Sequence, residues 1–305
     1  MKEGHFQILN RCPLKRTRGV SMRITDKNNA KRSRKIKTIF ITFLGLFIAF
    51  IMIFPIIWLL FASFKPRAEL FSYPLHLFPK QFVFDSYTSV VKSGFFTYVK
   101  NSLFFALAAT VITLVINSTC GYALAVYRKE IKYVDKVFAI FLLGTLIPGD
   151  ILIVPQFSVI SFLGLYNNIW GVILPVVTTT TGIFMYRQHY ISIPISLVES
   201  ARLDGAGEFH IFTRIMLPLG SSVTVTLTIF SFMWRWNDYI LPLMVLSDQN
   251  RYTIQIAIKS YIGTNGANWP LILAASVLSI LPIIVIFAFL QKYVTGGIAA
   301  TGVKG

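Results

Sequence analysis

An all-α polytopic membrane protein with six transmembrane helices is the fold that this sequence predicts, on two observations. Hydrophobic residues make up 55% of the chain and charged residues 13%, against about 25% charged in an ordinary soluble domain. The apolar residues also fall in blocks about as long as the ~20 residues needed to cross a hydrocarbon core. One such block could be the buried helix of a large soluble core. Repeated blocks in a chain of 305 residues cannot all bury one another.

The spans are expected at 38–62, 102–126, 137–162, 169–186, 222–246 and 271–290. The first follows a tail at 1–37 that is basic and partly disordered. Its apolar run is too long for a secretory signal and ends at Phe61-Ala62-Ser63-Phe64-Lys65 without a small-residue cleavage site, so it is expected to be retained. The first and last blocks read as plain apolar helices. Pro148-Gly149-Asp150 and Pro155 interrupt the third, and the short fourth holds Pro175, so these two can also be read as a re-entrant pair. The fifth holds a polar and aromatic cluster around Trp236 within its length. A tail at 291–305 closes the chain. No connection is long enough to fold as a separate catalytic domain.

The basic residues set the orientation. The N-terminal tail holds 12 of them, residues 127–136 hold 4, 187–221 hold 3 and the C-terminal tail holds 2, which makes 21 on one side. The other side has 7, of which 5 lie in 63–101 and 2 in 247–270. Short loops rich in Lys and Arg stay in the cytoplasm, which places both termini there, in a bacterial or archaeal plasma membrane. The formal charge of +17 is therefore a matter of topology and contact with anionic lipid. No basic face accompanies a nucleic-acid-reading fold.

The cytoplasmic connection at 187–220 carries the most specific pattern. Ser196 followed by Glu199 reads as a capping box that starts a short helix from Leu197 to Asp204, ended by Gly205. A second helix is expected from Glu208 to Met216, with Pro218 resetting the chain before the fifth span. Small residues at Ser200, Ala201, Gly205 and Ala206 allow close approach of another surface. Leu197, Leu203, Phe209, Phe212 and Ile215 offer apolar contacts.

The run Glu199-Ser200-Ala201, Asp204-Gly205-Ala206 and Ile215-Met216-Leu217-Pro218 resembles the signature loop of the membrane subunits of binding-protein-dependent ABC importers. Ser200 stands where the family triad has Ala. The resemblance extends over nearly all of the chain after residue 38. Phe64-Lys65-Pro66, Asn101-Ser102-Leu103, Gly121-Tyr122-Ala123-Leu124-Ala125 and Trp236-Asn237-Asp238 with Pro242-Leu243 resemble the carbohydrate branch. The terminal Gly296-Gly297-Ile298-Ala299-Ala300-Thr301-Gly302-Val303-Lys304-Gly305 is similar to the tail of a maltose-type permease.

This resemblance implies a type I importer permease fold over 38–290, working with a second, non-identical permease, two cytoplasmic ATPase subunits and an extracytoplasmic sugar-binding protein. It implies that Glu199, Ser200, Ala201, Asp204, Gly205, Ala206, Leu217 and Pro218 couple the permease to an ATPase. ATP and Mg are then bound by those partners, and no cofactor by this chain. Consistently, the chain has no phosphate-cradling G-x-x-x-x-G-K-[ST] sequence and no H-E-x-x-H motif.

Within the membrane, Asp150 stands near the middle of an apolar block. An ionisable residue there commonly faces a polar path or a partner; a broken helix would instead bring it to the interface. Arg235 and Asp238 are three residues apart and could pair on one helix face. With Asn237, Trp234, Trp236 and Tyr239 they suit either a sugar pathway and its gating or helix packing. An ion-coupled carrier using Asp150 and a non-transport membrane scaffold are the rival readings.

Overall fold

The computed structural model describes residues 18–263 and 266–301, with side chains described for residue 35, for 37–263 and for 266–291. The tail expected at 1–37 therefore falls outside the described residues up to residue 17, as do residues 302–305 of the C-terminal tail. The chain divides into two units, residues 1–58 and 59–305.

Most of α1 (Arg18–Ala62) belongs to the first unit. Its membrane-length part is Lys37–Ala62, in place of the expected 38–62. At about 1.5 Å per residue these residues reach about 39 Å, enough to cross a bilayer core. Large apolar side chains from Ile39 to Ile56 are exposed, a surface suited to lipid rather than water.

The second unit begins with α2 (Arg67–Leu70) and α3 (Asp85–Lys92), followed by the long α4 (Phe95–Val126). Then come α5 (Val134–Leu143), α6 (Ile153–Phe162), α7 (Ile169–Ile173) and α8 (Thr180–Ser192). The loop helices are α9 (Ser196–Leu203), α10 (Glu208–Ile211) and α11 (Leu217–Leu219). The rest is α12 (Ser221–Trp236), α13 (Ile240–Val245), α14 (Ile254–Ser260), a hairpin of β1 (Ile262–Gly263) and β2 (Gly266–Ala267), and α15 (Trp269–Thr301). In the hairpin Ile262 faces Ala267 and Gly263 faces Gly266 in antiparallel register.

Among the described residues, three helices are long and apolar enough to cross a membrane, and six spans result if each of three bent pairs counts as one. The third expected span is such a pair, Val134–Leu146 with Gly149–Phe162, bent by 93°. Proline disfavours the helical conformation of the residue before it. Ile147 is accordingly extended, with ψ of 117°. The fourth is Ile169–Val176 with Thr180–Ser192, bent by 42°, and it runs past the expected end at 186. The fifth ends at Trp236 rather than at 246. Asn237, Asp238 and Tyr239 leave the helix, and α13 follows as a separate element with Pro242 in its first turn, where a missing N–H is tolerated.

The core forms around α4. A Cβ added at Gly121 would lie 2.5 Å from Tyr186 Cβ and 3.0 Å from the Arg187 nitrogen, so α4 and α8 cross with backbones in close approach. Interhelical hydrogen bonds then fix their neighbours. Thr110 donates to Ser231 at 3.2 Å, Tyr186 to Thr224 at 2.9 Å, and the Trp236 indole to the Ser279 carbonyl at 3.1 Å.

At the end opposite α9, Lys65 is buried and its ammonium donates to the His76 carbonyl, closing the loop after α1. Asn101 donates to the Asn250 and Tyr252 carbonyls at 2.8 and 3.0 Å, and Ser102 accepts from Ile254 N–H at 2.8 Å. Both residues thereby pin the segment before α14 to α4.

Candidate functional site

Two places carry the residues singled out in the sequence, the loop between α8 and α12 and the breaks in the membrane-spanning helices. In the loop, α9 begins at Ser196 itself. Ile195 occupies the cap position, and no side chain caps the helix, so the expected Ser196–Glu199 capping box does not form. Its first turn is closed instead by Leu197 N–H to Pro194 and by Val198 and Glu199 N–H to Ile195.

The C-terminal end follows the expectation more closely. Gly205 has φ +82°. Its N–H donates to the Arg202 carbonyl at 3.0 Å, and Ala206 N–H reaches back to Ala201 at 2.9 Å. This double closure is the Schellman arrangement, which needs a left-handed residue where Gly205 stands. A Cβ at Gly205 would meet nothing within 4 Å. Within this chain the glycine answers to backbone conformation and not to crowding.

The second helix runs beyond the expected Met216. After α10 comes a π-helical stretch, Phe212–Met216, and then α11. Pro218 has no N–H to donate to the preceding turn, and a widened turn accommodates that loss. The whole Glu208–Leu219 helix meets α12 at 76°, so it runs across the start of the fifth span. At the bend a Cβ on Gly220 would be 3.0 Å from the Tyr190 ring.

The loop is held by a network that motif reading missed. Arg202 Nε donates to Glu208 Oε1 at 2.7 Å, and its NH1 to Glu130 Oε1 at 3.0 Å in the connection between α4 and α5. Tyr122 Oη, from α4, donates to the other oxygen of Glu208 at 2.7 Å. The guanidinium carbon lies 5.5 Å from the centre of the Tyr127 ring. Hydrogen bonds to Glu208 and then Glu130 raise the Arg202 pKa above its ordinary value. No single helix carries these partners, which is why periodicity gave no sign of them.

The apolar residues of the loop separate into two sets. Val198, Ile211 and Met216 are buried against Tyr186, Tyr190 and Leu227, with Phe212 and Ile215 packed beside them. Leu203 and Phe209 are 89% and 81% exposed, with Leu197 less so. Glu199, Ser200, Asp204 and Gly205 are exposed as well, while Ala201, Ala206 and Leu217 are half-buried. The outcome is a folded-back turn with acidic, small and large apolar side chains on its outer surface.

In the membrane-spanning part, Asp150 lies in the 3-10 turn Gly149–Leu152, exposed, at the 93° break. Arg235 and Asp238 do not form the expected ion pair. Arg235 is buried and donates from its NH2 to the Val176 carbonyl, at the break between the two halves of the fourth span. The Asp238 carboxylate lies beside the backbone N–H groups of Leu241 and Tyr239 at the start of α13. Asn237 turns its amide back to the Met233 carbonyl at 2.9 Å. Trp236 is buried, and Trp234 is partly exposed and stacked on Phe230.

The other side of that break is met by Asn117 of α4, which is fully buried. Its amide donates to Thr179 Oγ1 at 2.8 Å and its carbonyl accepts from Thr179 N–H at 3.3 Å. Thr179 Oγ1 in turn accepts from Gly182 N–H at 3.2 Å. A kinked backbone in a membrane needs such partners. Arg235 and Asn117 supply them from α12 and α4. The run Asn117-Ser118-Thr119, polar inside an apolar span, was the signal that could have exposed this role.

The family model described as "Binding-protein-dependent transport system inner membrane component" matches residues 23–299. The chain belongs to that family. The arabinooligosaccharides transport system permease protein AraQ of Bacillus subtilis (strain 168) is 36% identical over 269 residues, covering 87% of this chain and 95% of the relative. The inner membrane ABC transporter permease protein YcjP of Escherichia coli (strain K12) is 30% identical over 260 residues, covering 84% and 92%. A chain from the crystal structure of a bacterial ABC transporter that imports the acidic polysaccharide alginate superposes with a TM-score of 0.72 at 24% identity, covering 92% of this chain and 99% of that one. The fold is thus that of the importer permeases, and the chain is a multi-pass membrane permease, a transport component rather than an ATPase.

Proposed function

We propose that this permease forms half of the translocation pathway of an ATP-driven importer for oligosaccharides, and that the α9 turn transmits ATPase movement to it. The observation that carries the coupling reading is the exposed surface around Gly205. Leu203 and Phe209 project from a turn that is itself tied back to α4 through Arg202, Glu208 and Tyr122. A partner that grips Leu203 and Phe209 pulls on a rigid link rather than on a loose loop. Glu199 and Asp204 add charge for basic or polar ATPase groups, with Ser200, Ala201 and Ala206 allowing close approach. Leu217 and Pro218 join the turn to α12 across the 76° bend.

The sugar class is supported by the arabinooligosaccharide permease relative, matched over nearly its whole length. The C-terminal Gly296–Gly305 pattern resembles the maltose-type branch within the same class. By family resemblance the assembly includes a second, non-identical permease, two ATPase subunits that bind ATP and Mg, and an extracytoplasmic binding protein. Uptake of oligosaccharides into proteoliposomes holding the co-purified complex, its binding protein and internal ATP tests this reading. Uptake should require ATP and be unchanged by Asp150→Asn. Uptake that runs without ATP and stops with Asp150→Asn would replace it with an ion-coupled carrier.

A further inference from the structure

At the end of the second unit opposite α9, a cavity of about 530 Å³ opens between the start of α4, the start of α7 and Arg251. Phe104 and Trp170 form part of its wall, their rings edge to face with centres 6.2 Å apart. Its polar lining comes from Lys100, Asn101, Asn168 and Arg251, with no carboxylate among the lining residues. Of the three engaged groups, Arg251 and Asn168 leave donors over. Asn101 spends both amide N–H groups on the Asn250 and Tyr252 carbonyls and keeps only its side-chain oxygen, so the free donors come from the other three residues. Arg251 gives its NH1 to the Asn167 carbonyl, which leaves the other guanidinium N–H groups. Asn168 uses its side-chain oxygen to cap Trp170 N–H and keeps its NH2. Lys100 is exposed and makes no ion pair within 4 Å among the described residues. The site is therefore rich in donors, carries two positive charges and is fitted to an anion.

Depth and the adjoining surface point to what kind of anion. Lys100 lies about 39 Å along α4 from Val126 at about 1.5 Å per residue, beyond a hydrocarbon core of about 30 Å and within the headgroup layer. Below it Phe104, Leu107, Val111 and Val115 are each about half exposed and fall on one face of α4. From Phe104 to Val115 this stripe runs about 16 Å, close to the acyl depth of one leaflet. It offers no hydrogen-bonding group to a sugar. Cations beside a Trp, set above an apolar stripe of one-leaflet length, match a lipid whose phosphate is charged.

We propose that this cavity binds the phosphate of an anionic phospholipid of the outer leaflet, with an acyl chain on the Phe104–Val115 stripe. Native mass spectrometry of the assembled complex, prepared with phosphatidylglycerol or phosphatidylcholine, tests the site. Wild type should retain phosphatidylglycerol in preference to phosphatidylcholine. Lys100→Gln should lower that retention roughly fivefold, as expected for one cation near an anionic lipid, while Lys92→Gln should leave it unchanged. Arg251→Gln provides a second variant. Equal retention of the two lipids, or full retention in Lys100→Gln, would overturn the proposal. Displacement by soluble glycerol 3-phosphate would assign the cavity to a free anion, and loss of the second permease from the Lys100→Gln complex would assign the stripe to a subunit interface. Either result rejects the lipid site.

Discussion

Arg202 and Glu208 join the two short helices of the loop across the Gly205 turn, Nε to Oε1 at 2.7 Å. An isolated ion pair on a surface contributes little, about 0–1 kcal/mol. This one belongs to a network, because Glu130 takes a second guanidinium N–H and Tyr122 takes the second Glu208 oxygen. Its effect should be on the shape of the turn more than on the stability of the whole chain. Arg202→Gln is expected to speed amide exchange across 196–206 roughly fivefold, the equivalent of about 1 kcal/mol of local order. The unfolding midpoint of the complex should hardly move. Adding Glu208→Gln to Arg202→Gln should then do little more, since the pair acts as one unit. A strictly additive double variant would show that the two residues act separately.

Gly205 allows a sharper distinction. Its φ of +82° is unfavourable for side-chain-bearing residues by roughly 1–2 kcal/mol. Asn tolerates the left-handed region better than branched residues do. A Cβ at this position would have no atom within 4 Å, so this chain sets no steric limit there. Gly205→Asn should therefore retain much more ATP-driven uptake than Gly205→Val. If both variants assemble normally and are equally inactive, the constraint comes from the surface of a partner, since that surface would exclude either side chain.

Much of this architecture was legible because bilayer physics writes it in long runs. The blocks at 38–62 and 271–290 emerged within a few residues as Lys37–Ala62 and Trp269–Gln291. Pro148 and Pro175 announced the two broken spans. The loop turn was readable from Gly205, since few residues other than glycine end a helix in that way. The partners of polar residues were not readable. Spacing placed Arg235 and Asp238 on one face, but Arg235 reaches a carbonyl on another helix, 59 residues earlier in the chain. Ser196 has the identity of a cap and yet lies one residue inside the helix, because Pro194 already begins the turn. Such choices depend on which unsatisfied backbone group is nearest in space, and sequence periodicity does not carry that information.

Gly182 sits where the fourth span resumes after its break. A Cβ there would lie 2.2 Å from Asn117 Nδ2, 2.7 Å from Thr179 Oγ1 and 2.9 Å from Leu227 Cδ2. The methyl group of Gly182→Ala would push Asn117 off Thr179 and crowd α12 together. Overpacking of this kind costs about 1–3 kcal/mol, and an unsatisfied buried amide adds a further ~1–3 kcal/mol. The thermal midpoint of the purified complex should fall by several degrees. Gly149→Ala, where a Cβ would meet nothing within 4 Å, should leave it unchanged. Equal midpoints for the two variants would mean that the Asn117–Thr179 contact does not hold the break.

Arg235 gives the last test, because its nearest acid is not its partner. If the two charges stabilised one another by direct contact, exchanging them would restore what a single reversal removes. The guanidinium instead serves the Val176 carbonyl, while Asp238 faces the N–H groups that open α13. An Asp at 235 has no N–H for that carbonyl, and an Arg at 238 has no acceptor for those N–H groups. The exchange Arg235→Asp with Asp238→Arg should therefore be no more stable than Arg235→Asp alone. Arg235→Lys keeps one donor and should recover part of the loss, whereas Arg235→Leu leaves the carbonyl unpaired at a cost of about 1–3 kcal/mol. Asp238→Asn keeps an acceptor oxygen and should be mild. Thermal unfolding of the five variants in one detergent compares them directly, and rescue by the exchange would restore the Arg235–Asp238 pair as the stabilising contact.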